Sequence, residues 1–288
     1  MIPSTTLRFG IVIDQNLDWK ATLERWQMFD ELGFDSVWDC DHVIQPSRPT
    51  GPYFEAWTLL AALAAATKKV RIGVLVSSNT FRHPALLAKQ VITIDHISNG
   101  RLDVGFGAGW YEPEHKMFGL NLYEPKERVE RFHEAVQVLD GLLSNEITSF
   151  KGKFYALEEA ASRPRPVQQP RPPLLLAGHR PRMLRIAAKY AETWNSFGSV
   201  EEMRERNMLL DEACASIGRD PSTLVRSLYG WASMMPSDPW ESVGAFHEMV
   251  GRYYEAGVNE FLIDHPRLDQ QHVLERVASE VVPSLRTR

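Results

Sequence analysis

The residues best suited to chemistry are Asp41 and His42, an adjacent pair that closely follows an apolar segment at residues 34–38. An imidazole holds or releases a proton near neutral pH, and a neighbouring carboxylate accepts hydrogen bonds from a ligand. A structural histidine that closes a loop is the simpler alternative. Glu112 and Glu114 are further candidates for an acid or a base, although acidic residues beside a proline in a loop are usually only solvated.

A second candidate is an anion site at residues 178–182. Gly178, His179 and Arg180 follow an apolar segment there, and a helix-start proline precedes Arg182. The unpaired amides of a helix N-terminus attract anions, and guanidinium groups pair well with phosphate. The segment therefore predicts a phosphate site, with a solvated basic helix start as the alternative.

The glycines at positions 105, 107 and 109 carry a weaker signal. They superficially match a dinucleotide fingerprint, but Trp110 and Tyr111 follow where the helix of that motif should begin. We expect these glycines to let a flat or charged ligand approach the backbone.

All of these residues lie at the ends of predicted strands. Residues 70–76 and 102–106 have the apolar character of parallel strands that are covered on both faces. A helix that starts at Pro84 and ends before Asn99-Gly100 connects them. Ligands bind beyond the carboxyl ends of such strands, so we expect the polar residues after each strand to share one edge.

The same alternation of strands and helices continues along the chain. The strands are predicted at 7–13, 34–38, 70–76, 102–106, 174–176, 193–195, 224–229 and 258–263. This order predicts an α/β fold, a (β/α)8 TIM barrel with insertion segments at its C-terminal rim, in a single domain at residues 1–288. Residues 145–173 interrupt the alternation with a hairpin that turns at Gly152 and a proline-rich stretch, and we interpret them as an insertion.

Composition argues against several classes of protein. The chain has 44% hydrophobic and 24% charged residues, as globular proteins do, and its net charge of -5 argues against a dedicated nucleic-acid binder. Cys40 and Cys214 form no CxxC pattern, so we expect neither a disulfide framework nor a thiolate metal site. Without a signal-peptide pattern or a long apolar run, we expect a cytoplasmic protein with no membrane partner.

The sequence resembles the luciferase-like flavin and deazaflavin oxidoreductases over nearly its whole length. The resemblance is carried by FDSVWDCDHV at 34–43, the block from RIGVL to GFGAGW at 71–110, EPEHKMFG at 112–119 and RPRPVQQPRPPLLLAG at 163–178. It implies a TIM barrel, oxidoreductase activity, a bound flavin or deazaflavin and, as is common in this family, a homodimer.

Members of this family use either FMN or the deazaflavin F420, and two segments favour F420. Asp41-His42 resembles the Asp-His pair of F420-dependent members, whereas FMN-dependent members more often have Glu-His-His at this position. The segment NTFRHP at 79–84 also resembles the F420 branch. We therefore expect F420, with FMN as the alternative.

The resemblance also implies roles for individual residues. Asp41 would contact the deazaflavin, and His42 would lie near the carbon that exchanges the hydride and relay a proton, with Glu112 as a second catalytic candidate. Trp110 stands where the sugar-phosphate dehydrogenases of this family have a catalytic glutamate, which argues against a sugar phosphate as the substrate. The other expected cofactor contacts are a non-proline cis peptide between Leu75 and Val76, the Ser78 hydroxyl, and phosphate-side backbone at Ala108, Gly109 and Gly178.

Together these observations predict an enzyme that transfers a hydride between F420 and a small organic molecule with an activated C=C or C=N bond. We expect no metal ion. Three alternatives stay open: an FMN-dependent monooxygenase, a flavin-binding protein without catalysis, and a metal-dependent hydrolase. The hydrolase would use scattered residues such as Asp39, His179 and His265, whose ligand geometry a sequence does not show.

Overall fold

The computed structural model of the protein describes residues 7–286, so both ends of the predicted domain 1–288 lie outside the described residues. The chain divides into two compact units. The first unit contains the described residues up to 13, residues 25–38 and those from 175 onward, and the second contains residues 14–24 and 39–174. That the chain forms a single domain stays a prediction.

Strands and helices alternate along the described residues. The strands are β1 (Arg8–Val12), β2 (Ser36–Asp39), β3 (Arg71–Val74), β4 (Ser77–Ser78), β5 (Leu102–Gly107), β6 (Ile147–Lys151), β7 (Ala156–Ala161), β8 (Leu174–Ala177), β9 (Thr193–Ser196), β10 (Val225–Gly230) and β11 (Glu260–Asp264). The helices are α1 (Trp19–Leu32), α2 (Ala56–Ala66), α3 (Pro84–Ile97), α4 (Glu112–Phe118), α5 (Pro125–Ser144), α6 (Pro181–Tyr190), α7 (Val200–Ala215), α8 (Val243–Glu255), α9 (Gln271–Arg276) and α10 (Val282–Arg286). The fold is the predicted (β/α)8 barrel, whose parallel strands are β1, β2, β3, β5, β8, β9, β10 and β11. None of these helices is long and apolar enough to cross a membrane.

The first unit contains six parallel strands in the order β2, β1, β11, β10, β9 and β8. The strands are almost entirely buried, and Phe9 of β1 stacks on Phe261 of β11 with ring centroids 5.6 Å apart. Because all six strands run in one direction, their carboxyl ends meet at one edge. The segment after β8, which contains the predicted anion site, lies at this edge.

In the second unit, β5 pairs in parallel with both β3 and β4. The single strand predicted at 70–76 is divided into β3 and β4, and the peptide bond between Leu75 and Val76 is cis, as the family resemblance implied. The helix between β4 and β5 is confirmed: α3 begins at Pro84 and ends before Asn99 and Gly100, which both have positive φ.

The loop predicted around Glu112 is wrong, because residues 112–118 form the short helix α4. A proline and two acidic residues in its first turn suit a helix N-terminus, where a missing amide hydrogen does no harm and negative charge is favoured. Gly119, with φ of 66°, ends the helix in the left-handed conformation. With only seven residues, this helix is too short for its apolar residues to show a helical repeat.

The predicted insertion contains an antiparallel hairpin of β6 and β7, and Gly152 lies in its turn, where its amide donates to the carbonyl of Tyr155 at 2.9 Å. The carboxylate of Glu134, on α5, anchors the turn by accepting hydrogen bonds from the amides of residues 153–155 at 2.8, 2.8 and 3.2 Å. The Tyr155 hydroxyl then lies 3.3 Å from Nδ2 of Asn79, which directly follows β4. The insertion therefore reaches the carboxyl end of this strand.

Candidate active site

Asp41 lies at the centre of a buried polar network in the second unit. Its Oδ2 accepts a hydrogen bond from the Ser78 amide at 2.7 Å, and the Arg82 guanidinium donates to both carboxylate oxygens, with Nη2 2.9 Å from Oδ1. Arg82 also donates to Glu55 at 3.0 Å. Burial opposes the charge of Arg82, but the hydrogen bonds and negative charges of Asp41 and Glu55 together outweigh this effect and hold its pKa above the ordinary value. The network joins the ends of β2 and β4 to the segment before α3.

His42 has a buried carboxylate on one of its two ring nitrogens. Nδ1 lies 2.8 Å from Oε1 of Glu114, whose Oε2 accepts a hydrogen bond from the Val43 amide at 3.0 Å. The rings of Trp110 and Tyr111 stand edge-on to the imidazole, with centroids 6.0 and 5.9 Å away. Nε2 has no hydrogen-bond partner among the described residues, so it is the atom that can exchange a proton with a ligand.

Asp39 and Tyr53 are two further groups close to this network. Both carboxylate oxygens of Asp39 and the Tyr53 hydroxyl are buried without a hydrogen-bond partner in the part of the chain that the structure describes. Burial, followed by repulsion from Asp41 and Glu55, raises the pKa of Asp39 well above its usual range. Asp39 therefore keeps its proton to a higher pH than an exposed carboxyl group.

The backbone around the cis peptide packs closely against β5. A Cβ on Gly107 would lie 2.7 Å from Cγ2 of Val76, and a Cβ on Gly109, which has φ of +85°, would lie 2.6 Å from Oγ of Ser78. Glycine is needed at position 109 for both reasons, and its backbone lies close to the Ser78 side chain. The structure thus brings together five predicted cofactor contacts, which lie in the segment from the end of β3 through β4 and directly after β5: Leu75, Val76, Ser78, Ala108 and Gly109.

The other predicted cofactor contacts, Gly178, His179, Arg180 and Arg182, follow β8 in the first unit. Gly178 has φ of +145° and its carbonyl accepts a hydrogen bond from the Trp194 indole at 2.6 Å. Arg180 is the residue before α6, and both arginines are exposed. Burial and nearby guanidinium groups lower the pKa of His179. An exposed basic helix start suits an anion, and the phosphate contacts stay a prediction.

The structure adds Arg82 to the predicted site and distinguishes the two candidate glutamates. Glu112 is exposed at the start of α4, whereas Glu114 is buried against His42. Side chains two positions apart on a helix point to different sides, so the choice between these glutamates required knowing that α4 exists. Arg82 was visible in the sequence only as part of NTFRHP, and its pairing with Asp41 spans 41 positions. The catalytic role of Glu112 stays a prediction.

The histidines after the first-unit strands do not form a metal site. His265, after β11, packs edge-on against Phe29 at 5.7 Å, and burial together with the charge of Arg25 lowers its pKa to about 4. Across residues 7–286, no group of three or more His, Cys, Asp or Glu side chains could hold a metal ion. The hydrolase alternative therefore has no ligand set in this part of the chain.

Comparison with known proteins supplies the family. The sequence pattern that describes luciferase-like monooxygenases matches residues 5–241. The chain belongs to the luciferase-like monooxygenase family. This assignment confirms the resemblance that the strand-end motifs indicated.

Named relatives of this family member include both deazaflavin and flavin enzymes. F420-dependent glucose-6-phosphate dehydrogenase from Amycolatopsis mediterranei is 28% identical, over 89% of this chain and 92% of its own length. The enzyme of the same name from Microbacterium testaceum is 27% identical, over 98% of both chains. The FMNH(2)-dependent dimethylsulfone monooxygenase of Pseudomonas putida is 30% identical, over 63% of this chain and 50% of its own.

Solved structures share the fold of this luciferase-like chain. An F420-dependent secondary alcohol dehydrogenase in complex with an F420-acetone adduct superposes with a TM-score of 0.83 and 22% identity, covering 97% of this chain and 99% of the other. The coenzyme F420-dependent tetrahydromethanopterin reductase from Methanopyrus kandleri gives a TM-score of 0.78 at 17% identity, covering 97% and 99%.

Proposed function

We propose that this protein is an F420-dependent oxidoreductase that transfers a hydride between the deazaflavin and a small organic molecule, reducing an activated C=C or C=N bond. Relatives named as F420-dependent enzymes span nearly the whole chain, which supports the cofactor. The observation that carries the chemistry is the contact of His42 Nδ1 with buried Glu114, because it leaves Nε2 free to exchange a proton next to the Asp41 network.

The second unit fits a flat ring with a polar edge. Leu75 and Val76 offer an apolar surface, and the Ser78 hydroxyl and the bare backbone at Gly109 offer polar contacts beside it. Asp41, held by Arg82 on both oxygens, is oriented to accept hydrogen bonds from the ring edge. Bound deazaflavin would supply the hydride chemistry, and the protein would supply orientation and the proton.

His42 would move that proton through Nε2. The Glu114 carboxylate accepts from Nδ1–H, which fixes the tautomer in which Nε2 faces the ligand, and it stabilises the imidazolium before the proton leaves. With Glu114 only 1% exposed, this pairing is shielded from water. The edge-on rings of Trp110 and Tyr111 limit how far the imidazole can rotate.

We infer that the substrate is not a sugar phosphate, although the F420-dependent relatives named above act on glucose 6-phosphate. Trp110 occupies the position at which the resemblance places their catalytic glutamate, and its side chain is 56% exposed. An indole offers neither the charge nor the proton of a carboxyl group. The homodimer, the cytoplasmic location and the phosphate contacts of Arg180 and Arg182 belong to the same proposal.

The test is single-turnover oxidation of protein-bound reduced F420 by a panel of enones, imines and quinones, followed by deazaflavin fluorescence. Turnover with at least one member, slowed roughly 10² to 10⁴-fold in Glu114→Gln, is expected because general acid catalysis is worth about that much. Glu112→Gln is the matched control, since its exposed carboxylate lies two residues away on the same helix. Turnover of glucose 6-phosphate alone would contradict the substrate class.

An FMN-dependent monooxygenase is the second candidate, because the family includes the dimethylsulfone monooxygenase named above. Oxygen consumption with reduced FMN distinguishes it. If F420 binds but no member of the panel is turned over, the remaining alternative is a flavin-binding protein without catalysis.

A further inference from the structure

Four hydrogen-bonding groups form a continuous chain beside the backbone of Gly109. No step of the proposed reaction uses this chain. Oγ of Ser78 lies 2.7 Å from Oγ1 of Thr80, and Oγ1 of Thr80 lies 2.6 Å from Nε2 of His115. Nδ1 of His115 lies 2.7 Å from the carbonyl oxygen of Tyr111. The chain therefore runs from a predicted cofactor contact, Ser78, to a histidine on α4.

The carbonyl at one end determines where every hydrogen in the chain lies. A carbonyl oxygen only accepts, so the hydrogen of the neutral His115 ring must be on Nδ1, and Nε2 must accept. Thr80 then donates its hydroxyl hydrogen to Nε2, and its oxygen accepts the hydroxyl hydrogen of Ser78. Both nitrogens of His115, which is 2% exposed, are thereby satisfied.

These hydrogen positions determine which hydrogen-bonding groups Ser78 can offer to a ligand. With its hydrogen committed to Thr80, Oγ of Ser78 presents only lone pairs. The Ser78 amide is also committed, because it donates to Asp41 at 2.7 Å. The backbone of Gly109 lies directly over Ser78 and Thr80, since a Cβ there would come within 2.6 Å of both hydroxyl oxygens. This close approach leaves no room for a side chain at position 109.

We propose that His115 is a positioning residue that makes Ser78 a pure hydrogen-bond acceptor, so that the cofactor site selects an N–H or O–H donor at this point. This inference rests on the proposed function, because Ser78 is one of its predicted cofactor contacts. It goes further because it gives the direction of the hydrogen bond at that contact and names Thr80 and His115 as the residues that determine this direction. A ligand with an acceptor atom at the same point would face lone pairs and lose affinity.

The first arm of the test needs no cofactor. Protein labelled with 15N at histidine is recorded at pH 8 by two-bond 1H–15N correlation, with the His115→Phe spectrum identifying the signal among the 9 histidines. The neutral tautomer with hydrogen on Nδ1 is expected. Hydrogen on Nε2, or on both nitrogens, would overturn the inference.

The second arm measures F420 affinity of three threonine variants. Thr80→Val removes the relay hydroxyl at nearly constant volume and is expected to weaken binding roughly three- to tenfold, the worth of one neutral hydrogen bond. Thr80→Ser restores the hydroxyl and should bind within about twofold of the parent. Thr93→Val, which removes an exposed hydroxyl that donates to the Lys89 carbonyl, is the matched control and should change nothing.

The outcomes separate the two proposals. Equal affinity of the Thr80→Val and Thr80→Ser variants, with the parent binding F420 tightly, would overturn the relay and leave the proposed function standing. A parent protein that does not bind F420 would overturn the proposed function and the ligand contact together, whatever tautomer His115 has. Should Thr80→Val unfold, the tautomer and the affinity of Thr80→Ser decide the relay.

Discussion

Replacing Arg82 with methionine tests the buried network that orients Asp41. Arg82 makes two hydrogen bonds to Asp41 and one to Glu55, and the two paired side chains are only 10% and 2% exposed. Methionine fills a similar volume but leaves the carboxylate of Asp41 without its charged partner. Breaking a buried pair in this way costs about 3–5 kcal/mol, because the remaining charge stays desolvated.

The assay is urea unfolding at pH 7, compared at constant m-value. Arg276→Met is the matched control, because Arg276 also donates two hydrogen bonds to one carboxylate, that of Glu280, at 2.9 and 3.0 Å. Both partners of that pair are more than half exposed, at 59% and 52%, so its loss should have little effect. A loss below about 1 kcal/mol in Arg82→Met, typical of exposed pairs, would refute the account.

A double variant separates charge from packing. Asp41→Asn in the Arg82→Met background removes the unpaired charge and keeps an oxygen that can accept from the Ser78 amide. If the destabilisation comes from a buried charge, this second change should recover a large part of the unfolding free energy that Arg82→Met loses. If the double variant is less stable than Arg82→Met, the cost lies in packing and the electrostatic explanation fails.

Three further predictions concern individual side chains. His42→Ala should slow turnover per bound cofactor by about 10² to 10⁴ in single-turnover assays while cofactor affinity changes much less, because Nε2 acts on the proton. Arg180→Ala with Arg182→Ala should weaken F420 binding in a fluorescence titration by roughly 1.5 to 3 kcal/mol for each charge-assisted hydrogen bond lost, because guanidinium groups at a helix start pair with phosphate. Asp39→Asn should stabilise the protein increasingly as pH rises from about 4, the pKa of an unfolded aspartate. The folded state holds the Asp39 proton to higher pH than the unfolded state does, so the parent loses unfolding free energy over this window and the asparagine variant does not.

Each of these predictions has a contrary outcome. A normal bound-state rate in His42→Ala, with poor stability, would make that histidine structural. The affinity for a cofactor fragment without the phosphate tail should not change in the variant with both Arg180→Ala and Arg182→Ala. The Arg185→Ala variant, changed one turn along α6, should bind F420 normally. If the double variant weakens binding of F420 and of the fragment equally, the helix start is structural. Parallel stability profiles of the parent and Asp39→Asn between pH 4 and 8 would show that Asp39 is not held protonated.

Local patterns predicted most of the fold because burial and capping act within short stretches of chain. β3 and β5, before and after α3, are buried along nearly their whole length, and Pro84 and Gly100 are residues whose backbone preferences begin and end a helix. The cis peptide at Leu75 is different, since nothing in residue type requires it and only the family resemblance implied it.

The site was harder to predict because its contacts join distant segments. Asp41 and His42 stand out as neighbours in the sequence, but their partners Arg82 and Glu114 lie 41 and 72 positions away. Tyr155 reaches Asn79 across 76 positions, through a hairpin that the sequence predicts but whose contact with a strand end no local pattern indicates. Pairings of this kind depend on three-dimensional packing, and no periodicity reports them.

Parallel titration of the purified apoprotein with F420 and FMN decides whether F420 is the cofactor of this protein. Binding is followed by tryptophan fluorescence under identical conditions. We predict that F420 binds at least tenfold more tightly than FMN, a difference of about 1.4 kcal/mol in binding free energy. Equal affinities, or tighter binding of FMN, would contradict the assignment.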